Sequence, residues 1–360
     1  MANAGDAAAA SRWRGAGLAI GAAVLFGAST PAAKLLLGQI DPWLLAAILY
    51  LGSGIGLCTI RVLRRAIAPA VARQTSLHGK DWIWFSGAIL AGGVIGPVLL
   101  MAGLARSSAA STSLMLNLES VATALVAWFV FRENFDRRIA LGMAAIAAGA
   151  IVLSWQGTLS FADIVGPLAI AGACLAWAID NNLTRKVSLG DPVQIAMLKG
   201  QVAGSINLVL ALWRGAALPG LGEILAGALI GLLGYGVSLA MFVLALRAIG
   251  TARTGAYFAT APFIGAMAAF AVLGEPPTWQ LGFAGLLMAL GLWLHLTERH
   301  EHEHEHAPTT HDHRHSHDVH HRHAHGPDDP KGEPHAHRHV HTRLRHIHHH
   351  FPEPHHAHEH

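Results

Sequence analysis

ARSSAASTSLMLNLESVATALVAWFVFREN, residues 105–134, lies 142 positions ahead of RAIGTARTGAYFATAPFIGAMAAFAVLGEP, residues 247–276, and the two align without a gap. Each opens on small residues, continues as an apolar run and closes on a glutamate, Glu133 opposite Glu275. Gly149 and Gly291 follow those glutamates by the same interval. Further upstream, FGASTPAAK ending at Lys34 has a counterpart in WAIDNNLTRK ending at Lys186. Each of these leads to an Asp-Pro pair, Asp41-Pro42 and Asp191-Pro192. The chain therefore reads as two copies of one unit.

The apolar runs within these copies are about twenty residues long, enough to cross a bilayer core. They fall at about 15–37, 42–63, 81–104, 108–131, 137–155, 161–183, 191–213, 222–246, 250–273 and 279–296. Backbone amides in lipid must be paired internally, and the runs do not alternate as barrel strands do, so they are expected to be helices. Arg12 and Arg14 before the first run resemble the start of a secretion signal. The run after them outlasts the roughly 7–15 residues of such a signal, so a retained first span is expected. With the N-terminus cytoplasmic, fourteen Lys and Arg lie in the inner segments, and only Arg106 and Arg214 in the outer loops. That asymmetry orients the chain, and ten spans bring the C-terminus back inside. The expectation is a multi-pass protein of the plasma (inner) membrane.

Five spans per copy is an odd number, so the second copy crosses the bilayer upside down relative to the first. Inverted repeats characterise alternating-access carriers, which hold their ligand near the midplane between the halves. The domain reading is a cytoplasmic N-terminus over 1–14, a five-helix repeat over 15–155, a second over 161–297, and a tail over 298–360. The motifs FGASTPAAK in the first span, RENF closing the fourth, WAIDNNLTRKV in the sixth and LGEPPTW after the ninth resemble those of the drug/metabolite transporter superfamily, in its ten-helix EamA-like branch. The resemblance covers about residues 15–297. It implies a monomeric or dimeric secondary transporter, most often an exporter of small organic solutes. One departure is visible: Glu119-Ser120 stands where the family commonly places proline, while the second copy keeps Ala261-Pro262.

A charge at the bilayer centre costs roughly 2.5–3.5 kcal/mol on insertion scales, so it needs a partner, a wet cavity or a function. Glu119 lies mid-span in SLMLNLESVATALV, and Lys199 near mid-depth in IAMLKGQVAG. Both are expected to face the central cavity, with Glu119 taking up a coupling proton or a cationic group of the solute. The competing expectation is a static Glu119–Lys199 ion pair. Asp180 is a candidate inner gate, pairing with Arg185 or Lys186, or else a solvated helix end. Lys34 either touches solute or snorkels to the surface. Pro97 and Pro262 are expected to kink the third and ninth spans. Asn207 and Gln201 read as hydrogen-bonding glue between helices. Walker, nucleophile-elbow and zinc-protease patterns are absent from the sequence, so no enzyme, no required cofactor and no nucleic-acid partner is expected.

The tail is different in kind. Of 26 histidines, 24 lie between His300 and His360, interleaved with Glu, Asp, Arg and Pro. Little apolar surface is available to offset ordering entropy, so the tail is expected to be disordered. Neutral imidazole suits Ni²⁺, Zn²⁺, Co²⁺ and Cu²⁺, and His300, His302, His304, His306, His311, His313, His315 and His317 are the candidate ligands. Three readings follow: an exporter of an organic solute with a metal-binding tail, a Ni, Co or Zn efflux protein loaded by the tail, or a membrane-tethered metal store or sensor. The spans carry no mid-depth histidine, and Lys199 repels a dication, which favours the organic solute.

Overall fold

The computed structural model describes residues 4–67, 81–131, 137–155, 161–185, 192–296, 301–306, 309–315, 335–341 and 344–349. Ten helices among them are long and apolar enough to span a bilayer. In order they are Trp13–Leu36, Pro42–Leu63, Asp81–Arg106, Ala109–Val130, Arg137–Ser154, Ile164–Thr184, Val193–Trp213, Leu221–Leu246, Arg253–Leu273 and Trp279–Leu296, hereafter the first to tenth spans. The bundle's interior is rich in alanine, including Ala19, Ala22, Ala23, Ala46 and Ala47, while Ile83, Val130, Ile151 and Leu286 point outward. That inversion of a soluble core is what a lipid surround produces: large apolar groups face hydrocarbon, and small residues let helices approach.

The two copies are interleaved rather than set side by side. The first span packs on the eighth and ninth, and its repeat mate, the sixth, packs on the third and fourth. The second packs on the seventh, the fifth on the tenth, and the Ala109–Met115 part of the fourth on the ninth, each pair made of repeat mates. The contacts obey the same pseudo-two-fold. A methyl on Gly142 would sit 2.8 Å from the Gly291 carbonyl oxygen, and one on Gly149 would sit 3.0 Å from that of Ala284. Those two contacts interchange under the 142-residue offset. Between the second and seventh spans, a methyl on Gly200 would meet the Tyr50 carbonyl at 2.8 Å.

The irregularities are repeated too. The third span passes from α-helix to a π-helical segment, Ile89–Ile95, and back to α-helix at Gly96. The eighth does the same over Leu232–Val237. At the offset of 142, Gly92 falls opposite Gly234, inside both segments. The fourth span breaks between Ala109–Met115 and Leu118–Phe131, and the ninth between Thr251–Phe258 and Ala261–Leu273. Kinks were expected at Pro97 and Pro262, and both prolines lie just past an irregularity, in the second position of the helix that follows. The eighth-span π segment and the fourth-span break have no proline beside them.

Residues 299–360 form a separate compact unit. Where composition predicts no order, four short strands are described: β1 (Glu301–His306), β2 (Thr309–His315), β3 (His335–His341) and β4 (Leu344–His349). β1 pairs antiparallel with β4, and β2 with β3. Histidine at every second position is already a strand period, and backbone pairing needs no apolar face. The register sets His302 against His348 and His304 against His346. It also sets His311, His313 and His315 against His339, His337 and His335. His300 and His317 lie outside the described residues.

Candidate functional site

The site begins with a missing hydrogen bond. Pro97 has no N–H, so in the helix behind it the carbonyls of Gly93, four residues back, and Gly92, five back, lose their natural donors. The π step accommodates this, with the Gly96 N–H donating to the Ala91 carbonyl. Side chains of three other spans satisfy the two orphans. The Tyr50 hydroxyl and the Trp177 indole N–H donate to Gly92 at 2.8 and 3.0 Å. The Asn207 amide donates to Gly93 at 3.1 Å. The second, third, sixth and seventh spans thus meet at one irregular turn, where a polar environment replaces hydrocarbon.

The charges lie around that turn. Asp180 is buried, 4% exposed, and its carboxylate abuts Gly92, where a Cβ would find no room. It forms an ion pair with Lys199 of the seventh span and accepts a hydrogen bond from the Thr184 hydroxyl at 3.0 Å. Glu119 stands in the first turn of Leu118–Phe131, the second half of the broken fourth span. Its Oε1 accepts from the Asn181 amide at 2.8 Å, and Asp180 and Lys199 lie within electrostatic range. The break itself is closed by short local bonds. The Asn117 amide donates to the Leu114 carbonyl at 2.8 Å, and the Ser120 hydroxyl to the Asn117 carbonyl at 2.7 Å. The Cys174 thiol reaches the Met115 carbonyl at 3.7 Å.

This geometry differs from the sequence reading in two respects. Lys199 pairs with Asp180, not with Glu119. Asp180 turns to Lys199; the Arg185 side chain and Lys186 lie outside the described residues. The reason is steric: Gly92 leaves a notch that fits a carboxylate, and the seventh span carries its lysine to the same depth. Glu119, Asp180 and Lys199 therefore form one cluster, whose formal charge with every group ionised is −1.

Lys34 is elsewhere, at one end of the bundle. Its ammonium donates to the carbonyl of Leu104 and, at 2.8 Å, to that of Ser107, with Glu275 in electrostatic range. The Glu275 carboxylate accepts from the backbone amides of Ala109 and Ala110 at 2.7 and 2.9 Å. In the sequence Glu275 read only as a marker of the repeat. The unused signal was its place just past a span, at the same end as the SSAA turn whose helix start offers free amides.

A ten-span inverted repeat with a charged turn at its centre is a carrier's architecture, and the family comparison settles the matter. The model of the EamA-like transporter family matches residues 13–155 and again 164–297. The chain belongs to the EamA-like transporter family. Its two matched regions coincide with the two five-helix repeats, and membership places it in the drug/metabolite transporter superfamily as a transporter rather than an enzyme. An uncharacterized transporter of Methanothermobacter thermautotrophicus is 29% identical over 287 residues, covering 76% of this chain and 84% of that protein. A solved crystal structure aligns with a TM-score of 0.56 at 18% identity, over 79% of this chain and 95% of its own, a likeness of fold. As an EamA-like transporter the protein moves a small-molecule solute across a bilayer, which removes the store-or-sensor reading without transport.

Proposed function

We propose that this EamA-like transporter is a proton-coupled exporter of a small organic solute, with Glu119 as its coupling carboxylate and both termini on the cytoplasmic face of the inner membrane. One observation carries the reading: Asp180 and Lys199 neutralise each other, while Glu119 faces an amide rather than a cation. An uncompensated carboxylate at this depth is costly. Binding a proton, or a cationic group of the solute, removes the charge. Access to Glu119 from one side and then the other makes that neutralisation the coupling step.

The tail supports a second, narrower proposal, that it binds Ni²⁺, Co²⁺, Zn²⁺ or Cu²⁺. The observation behind it is the backbone register, which sets His302 opposite His348 and His304 opposite His346 in the β1–β4 pair. The alternative, metal as cargo, meets the Asp180–Lys199 pair: the lysine holds the buried carboxylate and repels a dication.

Deletion, full-length and tail-truncated strains compared across a metal panel and a metabolite panel decide between the two cargoes. Metal sensitivity on deletion that the truncated form fails to correct favours tail-loaded metal efflux, and metal uptake by inverted vesicles then separates efflux from buffering by the tail. For an organic solute so identified, inverted vesicles under a pH gradient test coupling. Glu119→Gln should abolish gradient-driven flux while preserving expression and monodispersity; undiminished flux in that variant refutes the role of Glu119.

A further inference from the structure

Both halves of the molecule grip a single turn. The segment from Leu104 to Ala110 joins the third span to the fourth, with Ser107 extended and the Ser108 hydroxyl accepting from the Ser111 amide. From the first span, Lys34 donates to the carbonyls of Leu104 and Ser107. From the loop between the ninth and tenth spans, in the other repeat, Glu275 accepts from the amides of Ala109 and Ala110. The electrostatics are matched. A cation sits where the third span ends in free carbonyls, and an anion where the fourth begins in free amides.

We propose that Lys34 and Glu275 are the latch of the outer mouth: they hold the Leu104–Ala110 turn in the outward-closed state and release it when the mouth opens. Three features make this a state-dependent contact rather than a permanent staple. The Glu275 contact reaches the turn from a loop through two hydrogen bonds, whereas the other cross-repeat interfaces are helices packed backbone to backbone, as between the second and seventh spans. The element it holds, Ala109–Met115, is only the outer half of the fourth span, separated from Leu118–Phe131 by a break and so able to move on its own. Beneath the latch, Phe26, Thr30, Ser113 and Pro262 close a crevice too tight for water, and Thr30 and Ser113 are both buried. The charge asymmetry of the loops puts this end outside. The two residues act through the backbone of the turn, so they are positioning residues.

The test places a Thr30→Cys reporter in a Cys58→Ser, Cys174→Ala background of the full chain and measures its reaction with a membrane-impermeant maleimide. Glu275→Gln and Lys34→Met should each raise the labelling rate about tenfold, the size of effect expected when a minor open state becomes a common one. Glu275→Asp, which keeps the charge, should fall between. Unchanged labelling in the folded variants overturns the proposal. So does a rise accompanied by increased hydrogen exchange throughout the bundle, because that is general loosening. The unsubstituted latch gives a check that needs no variant to fold. Amides of residues 105–112 should exchange at least a hundredfold faster than those of the second–seventh interface around Gly200. Equal, slow exchange in the two segments shows a turn that never lets go, and sinks the idea.

Discussion

At the residue scale, the central cluster turns on two carboxylates sharing one ammonium. Asp180 and Lys199 are mutually satisfied and largely out of water, with exposures of 6% and 18% for their side chains. Removing one partner of such a pair strands the other, at a cost of about 3–5 kcal/mol, whereas removing both is much milder. Lys199→Met alone and Asp180→Asn alone should therefore lower the melting temperature in detergent markedly. The double variant should recover most of the loss. If the double is as unstable as the singles combined, the pair is not what holds these helices. Glu119 behaves differently because its partner is the neutral Asn181 amide. Glu119→Gln should leave thermal stability within about 1 kcal/mol of the parent, as a surrogate hydrogen-bond acceptor remains. The sequence displayed all three charges but not their pairing. Periodicity assigns a residue to a helix face, but which faces meet depends on the glycine notch at Gly92, a tertiary property.

At the scale of elements, the spans themselves were plain in the sequence, and each expected boundary falls within a few residues of the described helix. Their length and apolarity follow from the bilayer's thickness and need no tertiary information. The π-helical segments were not legible. Ile89–Ile95 and Leu232–Val237 are apolar throughout, so a slip of one residue per turn leaves no mark on the hydrophobic pattern. Pro97 was the one local clue, and it pointed to a kink rather than to orphaned carbonyls. A π segment holds more residues per turn than an α-helix. Deleting one residue between Ile89 and Ile95 should restore α-helical register and turn the Gly96–Arg106 half of the third span by about 100°. The Gly92 and Gly93 carbonyls then leave Tyr50, Trp177 and Asn207. We expect an inserted but inactive protein, less stable by about 1–3 kcal/mol for the lost bonds. A deletion variant with full transport would show the segment to be incidental. The second–seventh interface offers a contrasting control. Gly200→Leu should prevent assembly altogether, seen as loss of the monodisperse peak, because backbone stands where the side chain would go.

At the scale of the whole molecule, the inverted repeat was readable as an offset, and the interleaved packing follows it pair by pair. The latch was not readable, because Lys34 and Glu275 are 241 positions apart and belong to different copies. The tail is a compact unit of its own. A chain ending at Leu296 should insert and melt like the full protein, within about 2 °C. It should lose nearly all Ni²⁺ and Zn²⁺ binding by calorimetry, and the full chain should lose that binding below about pH 6 as imidazoles protonate. Retention of metal by the truncated chain would move the ligands into the spans.

The cluster's single uncompensated negative charge has an electrical corollary. If the same carboxylate accepts either H⁺ or a monovalent cationic solute, each crossing carries one positive charge over the same span of field. A one-for-one exchange then moves no net charge, though about 2.3 kcal/mol per 100 mV acts on each crossing singly. Such a carrier would run on a difference in acidity and ignore the membrane voltage. A valinomycin-imposed potential that drives uptake without a pH difference would rule out that stoichiometry.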